Sequence, residues 1–144
     1  METNTAVMLP EALSIGLPEI DAQHESIFRC IESLKAICYG SGPASLEEFE
    51  NLLEYLKYHF ASEERLAGEV GVDFLDHATV HRKNLLALRR AFSEVQSGMR
   101  DLHSFLRYIE YWFERHITDE DKPFAATIHA RQAAARDDSP TAGS

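Results

Sequence analysis

His59-Phe-Ala-Ser-Glu63 and His77-Ala-Thr-Val-His81 are two short segments in which potential metal ligands stand four residues apart. Residues four apart lie on one face of an α-helix, separated by about 6 Å along its axis. Two such pairs on neighbouring helices can therefore point at one centre. The two segments predict helices that carry a metal site between them.

Three further candidate ligands stand outside these segments. His24 precedes them, and His116 follows them, with Asp121 five residues later. Together with the two pairs, they make five imidazoles and two carboxylates. Imidazole and carboxylate suit several transition metals, among them iron, manganese and zinc, and this number of ligands is enough for two ions.

Four stretches of the chain have apolar residues at alternating steps of three and four, the pattern of helices in a bundle. Short loops between helices of this length favour antiparallel neighbours. We predict an all-α fold, an up-down-up-down antiparallel four-helix bundle, with a short C-terminal helix after Pro123 and no strand. The four helices are predicted to begin at about Pro18, Ser45, Asp73 and Asp101.

The chain divides into three parts by pattern and composition. Residues 1–17 show no clear period and are predicted to form an N-terminal arm that packs on the bundle. Residues 18–130 form the bundle. Residues 131–144 are dominated by Ala, Arg, Asp, Ser, Pro and Gly, and we predict a disordered tail there.

Composition excludes several classes of function. The 144 residues, 44% of them hydrophobic, fit a single domain with its own core. A formal charge of −10 argues against nucleic-acid binding, which needs a basic surface. No apolar run approaches the roughly 18 residues of a membrane span, and no signal peptide is evident. We expect a cytoplasmic protein, not attached to a membrane, and a monomer.

The positions of the candidate ligands are the strongest argument for a site. An unpaired buried imidazole or carboxylate costs several kcal/mol, so a single one is more simply a hydrogen-bonded core residue. Several imidazoles and carboxylates at the apolar positions of the predicted helices need a common partner, and a cation supplies it. His103 and His129 fall outside the pattern and are predicted to be surface or packing residues. The positions that replace apolar residues are His24, His59, Glu63, His77, His81 and His116.

Four motifs in this order resemble the hemerythrin family, and the resemblance covers about residues 8–130. Each motif alone is weak, whereas the full set is highly specific. The motifs are Ile20-Asp-Ala-Gln-His24, His59-x-x-x-Glu63, His77-x-x-x-His81 and His116-x-x-x-x-Asp121.

This resemblance implies a non-haem di-iron centre that reversibly binds dioxygen as a hydroperoxide, for storage, delivery or sensing. Two iron ions would share an oxo or hydroxo bridge. The iron with fewer histidines would keep an open position for dioxygen. The implied ligands of one iron are His77, His81 and His116, those of the other are His24 and His59, and the bridging carboxylates are Glu63 and Asp121.

The resemblance also implies an apolar pocket around bound dioxygen, because water or protons would promote irreversible oxidation. No protein acid or base is evident in this set, so we expect an oxygen-binding protein and not an enzyme. The predicted lining residues are Ile27, Phe60, Trp112, Phe113 and Ile117.

The sequence departs from the family pattern at two places. Residues 7–10 lack the tryptophan that many bacterial members carry before the first motif. Asn84 stands one turn after His81, where an apolar or aromatic residue is expected. The amide is predicted either to loosen the pocket or to form a hydrogen bond near the site.

Other functions remain open at this point. A protein with the same fold can act on peroxide or nitric oxide, store iron, or report oxygen or redox state to a protein partner. A ferritin-like oxidase would need Glu-x-x-His motifs, and no histidine here has glutamate three residues before it.

Overall fold

The computed structural model describes residues 10–41 and 46–137, except the side chains of residues 38–41, 46 and 137. The described part of the chain is helical and contains no strand, as predicted. The predicted helix start at Ser45, most of the predicted arm and the last seven residues lie outside the described residues.

In the described ranges, four helices form the body of the fold, and a fifth follows them. A short 3-10 helix, Glu11–Leu13, precedes the first, and a π-turn, Ile117–Asp121, joins the last two. The helices are α1 (Pro18–Ser41), α2 (Leu46–Val70), α3 (Leu75–Gln96), α4 (Leu102–His116) and α5 (Lys122–Asp137). No helix in the described ranges is long and apolar enough to cross a membrane.

Aspartates begin two of the helices close to the predicted positions. The Asp101 side chain accepts a hydrogen bond from the Ser104 backbone N–H at 3.0 Å, which is the N-cap interaction expected for α4. At α3 the structural N-cap is Phe74, one residue later than predicted. Asp73 still contributes, because its carboxylate accepts from the Leu75 N–H at 3.0 Å.

The helices pack around one apolar core. α1 contacts α2 and α4, and α3 contacts the same two helices. Phe49 and Phe92 stack with ring centroids 4.0 Å apart, and Phe105 packs against both rings. Each of these side chains is removed from water, so their burial is a main source of stability.

The segment before α1 lies against the first helix. Ile15 and Leu17 are buried, and the Asp21 carboxylate accepts hydrogen bonds from the Ser14 hydroxyl and the Ile15 and Gly16 N–H groups at 2.9–3.2 Å. Gly16 has a φ of +76°, a conformation that favours glycine. This turn leads the chain into α1, with the Ile15 and Gly16 N–H groups bonded to Asp21.

The C-terminal part of the chain differs from the prediction. α5 begins at Lys122, directly after the π-turn, and continues to Asp137, past residue 131, where a disordered tail is predicted. Residues 133–135 are all alanine, the strongest helix former, and this local preference outweighs the polar composition. Ile128 is fully buried, so tertiary packing also supports the helix.

Candidate metal centre

The structure brings the side chains of all seven candidate ligands together. Each of the four main helices contributes, because the start of α1, the second half of α2, the start of α3 and the end of α4 meet. The side chains are His24 on α1, His59 and Glu63 on α2, His77 and His81 on α3, His116 on α4 and Asp121 at the end of the π-turn.

The π-turn explains the spacing of five between His116 and Asp121. In an α-helix, a residue five positions later points about 140° away from the first. In the π-turn the Lys122 N–H bonds to the Ile117 carbonyl, five residues back, so the helix is locally wider. Asp121 is thereby carried to the face of His116, and its Oδ1 lies 3.3 Å from His116 Nε2. π-turns within helices are frequent at functional sites.

The Glu63 carboxylate faces histidines on two sides. Its Oε1 lies 3.1 Å from Nε2 of both His77 and His81. Its Oε2 lies 3.2 Å from His59 Nε2 and 4.0 Å from His24 Nε2. One oxygen is thus directed to α3, and the other to α1 and α2.

The two oxygens of the Asp121 carboxylate likewise face different histidines. Its Oδ1 lies 3.3 Å from Nε2 of His77 and of His116, and its Oδ2 lies 3.0 Å from His24 Nε2. Two sets of four potential ligand atoms result, each within 4.8 Å of one another, and they share both carboxylates. One set contains His24 and His59, and the other contains His81 and His116; His77 stands beside the second.

The centre is buried, and many of its polar atoms lack hydrogen-bond partners, although His77 Nε2 and Glu63 Oε1 form a hydrogen bond of 3.1 Å. Both carboxylates are fully inaccessible to solvent, and His77 is the most exposed imidazole, with 12% of its side chain accessible. Several of these atoms lie within 3.3 Å of each other, but without the direction of a hydrogen bond. In the described part of the chain, the buried atoms without a hydrogen-bond partner are His24 Nδ1 and Nε2, His59 Nε2, Glu63 Oε2, His81 Nε2, His116 Nε2, and Asp121 Oδ1 and Oδ2.

These unpartnered atoms fit metal binding. Buried polar groups without hydrogen bonds are rare in proteins, and each of them costs free energy. Seven of these atoms, all except His24 Nδ1, are imidazole nitrogens or carboxylate oxygens of the cluster that a transition-metal ion accepts as donors. The cluster can therefore hold a cation, and the shared carboxylates leave room for two.

The electrostatics of the cluster also favour positive charge. Burial and the neighbouring Asp121 carboxylate raise the pKa of Glu63, but the imidazoles of His59, His77 and His81 close to its oxygens outweigh both and hold that pKa well below its ordinary value. Burial likewise raises the Asp121 pKa, and its histidine partners lower it further than burial raises it. Conversely, although burial lowers the pKa of His77, the two carboxylates raise it to about 9. The two carboxylates thus favour a positive charge at His77.

Aromatic rings surround the imidazoles, including three of the predicted pocket residues. Phe60 stacks on His81 with ring centroids 3.7 Å apart. The other two rings meet different histidines: Trp112 stacks on His116 at 5.6 Å and Phe113 meets His24 edge-on at 5.4 Å. The two predicted aliphatic members, at positions 27 and 117, are fully buried in the core.

Several neighbours of the ligands are absent from the sequence-based prediction. Gln23 is buried, and its Oε1 lies 2.8 Å from His59 Nδ1. Gln23 stands three residues after Ile20 and four before Ile27. This spacing places it on the apolar face of α1, so its burial could have been predicted from the sequence. Phe124 stacks on His77 at 4.8 Å, and no spacing rule points to this contact.

The remaining polar candidates also have defined places. Asn84 reaches the centre, with its Nδ2 3.2 Å from His116 Nδ1, so the alternative of a hydrogen bond near the site holds. His103 is exposed near the start of α4. His129 is exposed on α5, and its Nε2 bonds to the Gly16 carbonyl at 2.9 Å. Neither of these two histidines belongs to the cluster.

Comparisons with known proteins agree with this centre. The family model described as the hemerythrin HHE cation binding domain matches residues 16–128. A bacteriohemerythrin of Stenotrophomonas maltophilia is 29% identical over 121 residues, which cover 82% of this chain and 78% of that protein. Bacteriohemerythrins of Pseudomonas aeruginosa are 28% identical over 119 residues, covering 81% and 77%. No solved structure gave a significant match. The helices, the clustered histidines and carboxylates and the family match lead to one conclusion: the chain belongs to the hemerythrin family.

Proposed function

We propose that this protein binds two iron ions and, through them, reversibly binds dioxygen. The observation that carries the proposal is the division of the carboxylate oxygens. Glu63 and Asp121 each direct one oxygen towards the histidines of α3 and α4, and the other towards those of α1 and α2. Two carboxylates that both face two groups of imidazoles are arranged to bridge two metal ions.

The two metal positions are unequal in the proposed arrangement. Three histidines would hold one iron and two would hold the other, with both carboxylates shared. Five imidazoles and two bridging carboxylates cannot fill two octahedral shells, so the iron with two histidines keeps a position for a small ligand. Two iron ions would together supply the two electrons that reversible dioxygen binding requires. The ligands are His77, His81 and His116 for the first iron, and His24 and His59 for the second.

The surroundings of the second position support binding rather than turnover. Phe113 packs against His24 and is fully buried, as are Ile27 and Ile117. These side chains cannot give or take protons and they exclude water, which keeps bound dioxygen from being lost as peroxide. We therefore propose that the five predicted lining residues form the oxygen pocket and that the protein is not an enzyme.

The positions of the ligands also support a topology. His24 lies in the first turns of α1, His77 lies in the first turn of α3, and His116 is the last residue of α4. For these ends to meet, neighbouring helices must run in opposite directions. We infer an up-down-up-down bundle, with the segment before α1 as an arm packed on it through Ile15 and Leu17.

One spectroscopic experiment tests the proposal. The protein is loaded with iron(II) without air, exposed to oxygen and then purged, while the visible spectrum is recorded and iron is measured. Two irons per chain, with an absorption band that appears with oxygen and fades on purging, are expected. Immediate and irreversible oxidation would instead favour the alternatives, a peroxide or nitric oxide protein or a sensor. A chain that takes up no iron would refute the di-iron assignment.

A further inference from the structure

We propose that Gln23 is a positioning residue, which fixes the tautomer of His59 and directs the Nε2 lone pair of that ring at the metal. The inference rests on the proposed di-iron function and adds a residue that lies outside the set of seven ligands. Gln23 is 4% exposed and joins α1 to α2 beside the centre, through His59 and Ser62.

The orientation of the Gln23 amide follows from a chain of hydrogen bonds. The Ser62 hydroxyl donates its one hydrogen to the Tyr58 carbonyl at 3.1 Å. Towards Gln23 this hydroxyl can only accept, so it faces the Gln23 Nε2 donor, 3.0 Å away. The amide oxygen Oε1 is then left on the side of His59, 2.8 Å from Nδ1.

The orientation of the amide decides where the His59 proton lies. Because an amide oxygen only accepts, the hydrogen in this contact must be on His59 Nδ1. A neutral imidazole that carries its hydrogen on Nδ1 presents a lone pair at Nε2, the form in which histidine binds a metal. His59 Nε2 lies 3.2 Å from Glu63 Oε2, and both atoms lack a hydrogen-bond partner. The lone pairs of these two atoms repel each other. A cation that both atoms bind would remove this repulsion.

Gln23 is the main orienting contact on the two-histidine side. The second histidine there, His24, has no hydrogen-bond partner for Nδ1 among the described residues. Its ring is held by packing, edge-on against His59 at 4.7 Å and against Phe113 at 5.4 Å. The orientation of His59 therefore also affects how His24 is held, and both depend on the hydrogen bonds of Gln23.

Asn84 provides a matched comparison on the other side of the centre. Its amide also lies against an imidazole, but it presents the nitrogen, a donor, to His116 Nδ1. For His116 to bind iron through Nε2, its hydrogen must lie on Nδ1, so the Asn84 amide must turn its oxygen towards the ring, whereas the Gln23 oxygen already faces His59. A change at Asn84 should leave His59 unaffected, whereas a change at Gln23 should act on the two-histidine side alone.

The first test is NMR of the metal-free full-length protein with ¹⁵N-labelled histidine. We expect His59 to carry its hydrogen on Nδ1, in slow exchange with solvent. Gln23→Met, which has similar size but no amide, should lose this protected hydrogen, and Asn84→Leu should keep it. A wild-type His59 protonated only on Nε2 would overturn the proposal. Because no metal is present, this result is independent of the proposed function.

The second test is the release of iron(II) to a chelator from the loaded protein. Loss of a hydrogen-bond partner to a ligand typically costs 10–100-fold in metal affinity. We therefore expect Gln23→Met to release one of the two irons about 10–100-fold faster and the other at the wild-type rate. Gln23→Glu, which keeps an acceptor for Nδ1–H, should stay close to wild type in both phases.

A core variant separates positioning from general damage. Leu56→Ala removes a fully buried side chain and should affect both irons alike, if it affects either. Equal acceleration of both irons in Gln23→Met, or no acceleration, would refute the proposal. If Gln23→Met does not fold, Ser62→Ala frees the amide to rotate and should also accelerate one iron only. A wild-type chain that binds no iron would refute the proposed function and leave the NMR result to decide on Gln23.

Discussion

Removing the metal should lower the free energy of unfolding, and the number of unpartnered buried atoms in the centre gives the size of the effect. Seven buried donor atoms of the centre lack hydrogen-bond partners and could be satisfied by metal, and each costs about 1–3 kcal/mol. At about 1 kcal/mol each, the penalty is about 7 kcal/mol, comparable with the whole stability of a typical domain. Protons shared between imidazoles and carboxylates offset part of it. If they offset half, about 4 kcal/mol remains for the metal to recover.

Thermal unfolding measures this difference directly. For a chain of this size, about 1 kcal/mol corresponds to about 3–4 °C, so iron(II) should raise Tm by about 10–15 °C over the chelator-treated protein. Calorimetry or circular dichroism under anaerobic conditions records it. His103→Ala, a change outside the cluster, should show the same rise. A rise of less than about 2 °C, well under 1 kcal/mol, would show that the unpartnered atoms do not bind metal.

Four further substitutions have defined outcomes. His77→Ala should lose one iron per chain by metal analysis, and a normal content of two would contradict the ligand set. Phe113→Ala should lower the free energy of unfolding by about 3–5 kcal/mol in urea titrations and speed irreversible oxidation, since water gains access; unchanged oxidation would count against the pocket. Gly16→Ala should cost about 1–2 kcal/mol, because φ is +76° and the new Cβ would lie 3.0 Å from His129 Cε1. By contrast, Gly68→Ala on α2, where a Cβ meets nothing within 4 Å, should stabilise by about 0.5–1 kcal/mol; equal effects at both glycines would refute the backbone argument.

Local spacing predicted much of this molecule. The steps of three and four along the apolar stripes indicate helices, because a helix returns to the same face at that interval. The same reasoning predicts the two ligand pairs, because both members of each pair lie about one turn apart on a helix. These pairs are His59 with Glu63 and His77 with His81. The Asp101 cap was equally readable, since it depends on residues three apart.

Features that depend on unusual backbone or on distant packing were not predicted. The π-turn that brings Asp121 beside His116 has no clear signature in sequence, although the spacing of five was visible. The continuation of α5 was missed because composition suggested disorder, whereas alanine propensity and the burial of Ile128 favour a helix.

The sequence alone indicated six of the seven side chains of the centre, because polar residues at apolar positions of helices need a shared partner, and the family resemblance added the role of Asp121. Tertiary structure decided how they are arranged. Only the packed helices show that each carboxylate divides its oxygens between two groups of histidines, and that the Gln23 amide on the neighbouring helix contacts His59. The physical reason for this difference is the separation of the residues along the chain. Helix periodicity relates residues within a few turns, whereas Gln23 and His59 stand 36 residues apart and meet only when α1 packs on α2.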